Sequence, residues 1–140
     1  MISLSRNVVL LLLWLVLFMT SFNGAAAWAK HDRVFVNISN EVGEGLDLTF
    51  SCKSKDDDIG THILVPHGYF VFNFRPNYWG TTLFYCNFDW KDNHYTFDIY
   101  KFSRDQKKGP NYLWQIKTTG ACVLYSVAKD YECMHYDIVW

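Results

Sequence analysis

The residues of this chain that could carry out acid–base chemistry are its five histidines. They are His31, His62, His67, His94 and His135. A histidine can act as a general base, and Asp98 or Asp137 could orient one. No Gly-x-Ser-x-Gly nucleophile motif accompanies them, and the histidines have no diagnostic spacing. We therefore interpret them as surface or structural residues and predict no catalytic residue.

Four cysteines could bind a metal or form disulfides. They are Cys52, Cys86, Cys122 and Cys133. The chain has no Cys-x-x-Cys pair, and Cys133-Met134-His135 is not a ligand spacing of zinc sites. An even number of cysteines in a small secreted chain is typical of disulfides, and four cysteines allow three connectivities. We expect two disulfides, no metal site and no cofactor.

Two charged segments are candidates for contact with a partner. The first contains Lys53, Lys55, Asp56, Asp57 and Asp58, and the second contains Lys107 and Lys108. Consecutive carboxylates point in different directions, so the acidic run lacks the alternating ligand pattern of a calcium loop. Loop tips on a rigid scaffold are where binding proteins place their specificity. We therefore predict contact surfaces at 53–60 and 103–111.

The amino terminus has the pattern of a secretory signal peptide. Arg6 precedes an uninterrupted apolar run from Val8 to Phe18, and small residues follow it. This run is too short to span a bilayer comfortably, so we expect no stable membrane insertion. Cleavage is expected after Ala27 or Ala29, which makes 1–29 the signal peptide.

Residues 30–140 should then form one domain, which we expect to be a monomer. The whole chain has 13 basic and 14 acidic residues, and removal of Arg6 with the leader leaves a net charge of −2. A nearly neutral chain lacks the basic face that nucleic-acid binding requires. It has no polybasic segment for membrane adsorption either. The function classes that depend on a basic surface are therefore excluded.

The apolar residues of this domain alternate mostly with a period of two, which is typical of β-strands. The predicted strands are 34–39, 46–52, 62–65, 69–74, 81–88, 95–102, 112–117, 121–127 and 133–140. We predict a turn at 56–60, a strand covered on both faces at 69–74 and an exposed loop at 103–111. Seven to nine short strands with regular turns predict an all-β antiparallel sandwich or barrel.

Six segments of the domain resemble those of a known family. They are Val34 to Asn40, Leu48 to Gly60, Gly68 to Phe74, the strand Trp79-Gly80-Thr81-Thr82-Leu83-Phe84-Tyr85-Cys86, Tyr95 to Tyr100, and Leu113 to Ile116. In this order and spacing they are similar to the plant self-incompatibility proteins, also called S-protein homologues. The resemblance covers essentially all of 30–140. It implies a small, secreted, disulfide-linked antiparallel β-sandwich, and some family members are the stigma-side ligand that triggers rejection of self pollen.

One feature departs from the family pattern. Many relatives have a cysteine just before the Leu-Trp of the tryptophan strand, where this chain has Tyr112. The second disulfide therefore cannot be copied from those relatives. From the positions of the predicted strands we expect the pairs Cys52 with Cys86 and Cys122 with Cys133.

The resemblance implies a non-enzymatic extracellular signalling ligand of the apoplast. Such a ligand would bind an unknown membrane receptor on a neighbouring cell through its loops. The alternative is a secreted hydrolase or defence protein that acts on cell-wall or microbial material, but no nucleophile, base or metal constellation supports it.

Asn37-Ile38-Ser39 is the only Asn-x-Ser/Thr sequon in 30–140. The alternation of the first strand predicts that the Asn37 side chain points outward from an edge strand. Asn37 is therefore a candidate glycosylation site.

Overall fold

The structure is a computed structural model that describes residues 3, 5–25, 31–127 and 129–136. The chain divides into two units, residues 1–31 and residues 32–140. The first unit contains the helix α1, Arg6–Ala25. Within the described residues, none of the helices combines the length and apolar character that crossing a bilayer requires. The expected cleavage positions, Ala27 and Ala29, lie outside the described residues.

The second unit contains nine strands in its described part. They are β1 (Val34–Glu41), β2 (Leu48–Lys53), β3 (Asp58–Leu64), β4 (Tyr69–Phe74), β5 (Leu83–Trp90), β6 (Asn93–Lys101), β7 (Asn111–Lys117), β8 (Gly120–Tyr125) and β9 (Tyr131–His135). One short helix, α2 (Phe102–Asp105), follows β6. The strands form a five-stranded sheet in the order β4-β1-β7-β8-β9 and a four-stranded sheet in the order β3-β2-β5-β6. The predicted all-β class is confirmed.

The sandwich is not wholly antiparallel. Strand β1 pairs in parallel with β7, from Phe35 opposite Asn111 to Glu41 opposite Lys117, whereas the other strand pairs are antiparallel. Parallel neighbours need a long crossover, and the chain supplies one because β2 to β6 lie between β1 and β7 in sequence. This crossover places the four-stranded sheet against the five-stranded one.

The core lies between the two sheets and is rich in aromatic residues. Its largest fully buried side chains are Trp114, Tyr100, Tyr112, Phe50, Phe84 and Phe88. The polar atoms of Trp114 and Tyr112 have hydrogen-bond partners, as buried aromatic residues usually do. The indole Nε1 of Trp114 donates to the Ile99 carbonyl at 3.1 Å, and the Tyr112 hydroxyl donates to the Asp105 carbonyl at 2.7 Å. These bonds tie the five-stranded sheet to the end of β6 and to α2.

Each cysteine lies directly opposite its disulfide partner on an adjacent antiparallel strand. Cys52 of β2 is bonded to Cys86 of β5, and Cys122 of β8 is bonded to Cys133 of β9. These are the pairs that the strand positions predict. The first is fully buried in the core, whereas Cys133 is exposed on an edge strand.

The structure corrects several boundaries. Strand β3 begins at Asp58, so the turn comprises only 54–57. Strand β4 is covered on one face, because Tyr69 and Val71 are exposed while Phe72 and Phe74 are buried. The last described strand is Tyr131–His135, so it begins two residues before the predicted start at Cys133, and residues 137–140 of the predicted strand lie outside the described part.

Two further predictions are wrong because they depended on local sequence alone and not on contacts between distant parts of the chain. The polar segment 103–111 contains three of the four residues of α2, and its Asp105 is completely buried. Strand β1, predicted at a sheet edge, lies between β4 and β7. Sequence alternation shows which residues share a face of a strand, but strand order depends on long-range pairing.

Candidate functional site

We define the loop end by three of the connections that lie at one end of the sandwich. They are residues 54–57, 75–82 and 102–110. Strand β5 starts there at Leu83, which pairs with Lys101 at the end of β6, while Tyr85 pairs with Lys53 at the end of β2. Strand β4 ends there as well, and Phe74 and Arg75 line a common cleft with the 54–57 turn. Both charged segments predicted as contact surfaces therefore lie at the same end.

The charged turn 54–57 is compact and open to solvent. The Ser54 amide donates to the Asp57 carbonyl at 2.8 Å, and the Asp57 amide donates to the Ser54 hydroxyl at 3.0 Å. Asp58 accepts the Gly60 amide at 2.8 Å and forms an exposed ion pair with Lys53 at 3.8 Å. An exposed pair of this kind adds little stability. The turn thus presents charges of both signs on a defined backbone.

A cleft of about 380 Å³ with both polar and apolar walls opens beside this turn. Its walls are Ser54 to Asp57 on one side and, on the other, Arg75, Asn77 and Thr81 to Tyr85. The candidate residues Lys55, Asp56 and Asp57 all line it and are exposed. The cleft therefore joins the charged turn to the segment that leads into the Gly-Thr-Thr strand.

The second charged segment is held down more firmly than an exposed loop would be. The buried Asp105 carboxylate accepts two bonds of 2.7 Å from the Arg104 guanidinium and one of 2.9 Å from the Lys101 amide. Burial opposes ionisation of the guanidinium, but its hydrogen bonds to this carboxylate raise the pKa of Arg104 overall. The bond from the Lys101 amide and the bonds of 3.3 Å from the Arg104 guanidinium to the Asp98 carbonyl hold α2 against the end of β6.

Of the two candidate lysines in this segment, Lys107 is exposed and Lys108 is engaged within the molecule. The Lys108 ammonium lies 3.0 Å from Oε1 of Glu132 and 4.2 Å from the centre of the Tyr125 ring. Burial lowers the pKa of Lys108, but the hydrogen bond to Glu132 and the nearby Tyr125 outweigh that effect and raise it. Lys107 is therefore better placed to meet a partner.

Sequence reasoning missed the most exposed aromatic residues of this end. Tyr78 and Trp79 are 60% and 80% exposed, and their rings make an edge contact with centroids 5.0 Å apart. We treated Trp79 only as part of a family motif. The available signal was two large aromatic residues between Pro76 and Gly80, in a stretch with no alternation to bury them.

Three of the histidines each contact a different neighbour. His94 lies 2.5 Å from Asp89, and His67 lies 2.9 Å from Glu41, both on exposed surface. His62 stacks on Phe70 with ring centroids 4.0 Å apart. Among the described residues no hydroxyl or thiol bonds to these rings, and no three potential metal ligands cluster.

Asn37 lies on the outer face of the five-stranded sheet. It lines a shallow depression together with the apolar side chains Phe35, Val71, Leu113 and Leu124. Its Oδ1 is shielded from solvent and has no hydrogen-bond partner within the described part of the chain. The side chain therefore points outward, as predicted, but from an inner strand.

Comparison with known proteins places this fold and loop arrangement in context. The model of the plant self-incompatibility protein S1 family matches residues 35–137. S-protein homolog 29 of Arabidopsis thaliana is 35% identical over 91% of this chain and 93% of its own length. S-protein homolog 3 of the same plant is 45% identical, over 63% of this chain and 61% of its own length.

A solved structure has the same fold with 15% identity and a TM-score of 0.53, over 74% of this chain and 96% of its own. It is described as a self-incompatibility protein homologue, from a widespread family of small, highly stable, secreted proteins from plants. The chain described here belongs to the plant self-incompatibility protein S1 family.

Proposed function

We propose that the protein is a secreted, non-enzymatic signalling ligand that binds a membrane receptor on a neighbouring cell through its loop end. The observation that carries this proposal is the convergence of the two charged segments and the exposed aromatic pair on one end of a rigid, disulfide-linked sandwich. Loops on a rigid scaffold are where binding modules place specificity. The secreted character of the family supports an extracellular role of the self-incompatibility or cell–cell recognition type.

The charges of the loop end favour a protein partner of mixed charge. Lys53 and Lys55 are balanced by Asp56, Asp57 and Asp58, so the surface has no strong field of one sign. Such a surface sets orientation and specificity more than it accelerates association. We therefore expect only modest salt dependence of binding.

A hydrolytic role has one observation in its favour. The contact between His94 and Asp89 resembles the pairing of a general base with the carboxylate that orients it. The pair lies on the β5–β6 hairpin, at the end of the sandwich opposite the loop end. Since no nucleophile contacts it in the described structure, a ligand without chemistry of its own is the better proposal. Replacement of His94 by alanine should leave the biological activity unchanged.

The destination of the protein follows from the apolar leader. We propose cleavage near Ala27 or Ala29 and release into the apoplast. The amino-terminal sequence and mass of the protein in apoplastic fluid should correspond to a chain that starts near residue 28 or 30. A species that keeps its leader and is extracted only with detergent would contradict secretion.

Binding to plant membranes tests the ligand proposal. We would measure saturable binding of the labelled, leader-free protein to membranes from plant tissues. The test variant exchanges the neighbouring charges at the cleft, as Lys55→Asp with Asp56→Lys. The matched control makes the same exchange on the opposite end, as Lys91→Asp with Asp92→Lys. We expect the cleft variant alone to lose affinity, and equal binding of both variants would remove the loop end from the interface.

A further inference from the structure

Two large aromatic residues of the loop end, Tyr78 and Trp79, are exposed to solvent. About half of the described aromatic residues of this domain are buried in the core, whereas Trp79 is 80% exposed, the most of any of them, and Tyr78 is 60% exposed. A tryptophan in contact with solvent gives up the free energy that burying its large apolar surface would provide. Packing in the monomer therefore does not account for these two rings.

A network of hydrogen bonds holds the segment that carries them. The Asn77 side chain accepts the Thr81 amide at 3.0 Å and donates to the Thr81 hydroxyl at 2.9 Å. The Asn77 amide donates to the Thr82 hydroxyl at 2.8 Å, and the Gly80 amide donates to the Asn77 carbonyl at 3.3 Å. Asn77, Thr81 and Thr82 thus close a tight frame around Tyr78 and Trp79.

Phe102 connects this frame to the rest of the sandwich. The Phe102 amide donates to the Thr82 carbonyl at 3.0 Å. The Phe102 ring packs against the backbone of Gly80, where φ is +68°. A loop fixed in this way loses little conformational entropy when it binds, and such preorganisation favours affinity.

The surroundings of the pair match the anatomy of a protein interface. Binding energy concentrates in central tryptophan, tyrosine and arginine side chains, and a polar rim surrounds them. Here Asn77 and Thr81, which lie on either side of the pair in the sequence, line the cleft that also contains the charged turn, 54–57. The two rings are nearly perpendicular, at 81°, so they do not form the flat platform on which a sugar ring stacks. No excess of basic charge accompanies them, so a membrane surface is a poorer match.

We propose that Trp79, supported by Tyr78, is the anchor that inserts into an apolar pocket of the partner protein. The charged turn then meets polar groups at the rim of that pocket. Asn77 acts as a positioning residue, because it holds the frame without forming part of the anchor. This inference rests on the proposed ligand function and specifies the chemistry of the partner.

Truncation of the anchor gives the direct test. In the same membrane-binding assay, Trp79→Ala should weaken binding at least about 30-fold, as loss of a central anchor does. Ile63→Ala, which removes an apolar side chain that is 67% exposed on β3, is the matched control and should change binding less than about threefold. Asn77→Ala should weaken binding by an intermediate factor, and Trp79→Phe should restore part of the loss. Circular dichroism should show the fold of the wild-type protein for each variant.

The outcomes separate this inference from the function on which it rests. If the wild-type protein binds saturably and Trp79→Ala binds equally well, the anchor is wrong and the ligand function stands. If the wild-type protein does not bind, both proposals fail. Digestion of the membranes with protease should abolish binding that depends on Trp79. Binding that survives protease and is competed by soluble cell-wall polysaccharide would mean a carbohydrate ligand and would overturn the protein pocket.

Discussion

The Phe102 ring occupies the space that a side chain at Gly80 would need. A Cβ atom on Gly80 would lie 2.6 Å from Cε1 of Phe102, and the backbone there has a φ of +68°. This contact joins the segment that presents the aromatic pair to the start of α2. Two of the three connections of the loop end are thereby coupled through one glycine.

We predict that Gly80→Ala destabilises the protein through both sterics and backbone strain. Gly45→Ala is the matched control, because Gly45 has a φ of +74° but nothing within 4 Å of its Cβ position. The control substitution should lower the free energy of unfolding by about 1–2 kcal/mol, because alanine is strained in the left-handed backbone conformation. Gly80→Ala should cost about 1–3 kcal/mol more, because the Phe102 ring must move. Urea unfolding measures both, and equal costs would show that the ring yields freely.

The ion pair between Asp105 and Arg104 should be a main support of the 102–110 segment. Asp105→Asn keeps the volume but removes the charge that the guanidinium faces in a buried site. We expect the free energy of unfolding to fall by about 2–3 kcal/mol. This loss is at or below the low end for broken buried ion pairs, because Arg104 keeps some contact with water. Asp92→Asn, at an exposed position, is the control and should change unfolding by less than about 0.5 kcal/mol.

The two disulfides should differ in their accessibility to reductant. Cys133 is exposed on the edge strand β9, whereas Cys52 and Cys86 are fully buried. Mild reduction under native conditions, followed by alkylation and peptide mapping, should label Cys122 and Cys133 first. The loss of chain entropy in the unfolded state gives a stabilisation of about 3 kcal/mol for the disulfide Cys122–Cys133, which closes the shorter loop. It gives about 4 kcal/mol for Cys52–Cys86, which closes the longer loop. Simultaneous labelling of all four cysteines, or a peptide that links Cys52 to Cys122, would contradict the arrangement.

Alkaline pH should unfold the domain because its buried tyrosines must stay protonated. Burial, together with the charge of Asp105, raises the pKa of Tyr100 from 10.0 to about 12. Burial also raises the pKa values of Tyr112 and Tyr136. Since these values are higher in the folded state, this stability is fully present below pH 10 and is lost as the pH rises towards 12.

The ultraviolet absorbance of tyrosinate should therefore increase cooperatively with loss of the near-ultraviolet circular dichroism. Tyr100→Phe removes one hydroxyl group that keeps its proton to higher pH in the folded state than in the unfolded state. The free energy of unfolding of this variant should therefore fall less steeply in this pH range. Ionisation of the buried tyrosines in a protein that stays folded would contradict the prediction.

Asn37 should carry a glycan when the protein passes through a secretory pathway. The Ser39 hydroxyl is buried and donates to the Trp114 carbonyl at 3.3 Å, so the sequon must be modified before the sandwich closes. A glycan on Asn37 would cover the apolar depression formed with Phe35 and Val71. Glycosidase treatment of protein secreted by plant cells should lower its mass, and Asn37→Gln should abolish the shift. An unchanged mass would show that the sequon is not used.

Much of this molecule could be predicted from local patterns. The period of two along β1 and β2 depends only on side chains that alternate between faces, so it indicates strands wherever they pair. Cys52 and Cys86 lie in strands of clear alternation, and the pair expected from the sequence is the pair in the structure. The six motifs between Val34 and Ile116, in their order and spacing, indicated the family.

Tertiary structure decided what the local pattern leaves open. Asp105 reads as a polar loop residue, and only the folded chain buries it completely, where the Lys101 amide and the guanidinium of the adjacent Arg104 satisfy its carboxylate. The parallel pairing of β1 with β7 depends on contacts between residues about 75 positions apart, such as Ile38 opposite Trp114, which no local period encodes. The exposure of Trp79 has the same origin. An aromatic side chain is buried or exposed according to what the folded chain places around it, and here the frame of Asn77 and the ring of Phe102 leave the indole facing the solvent.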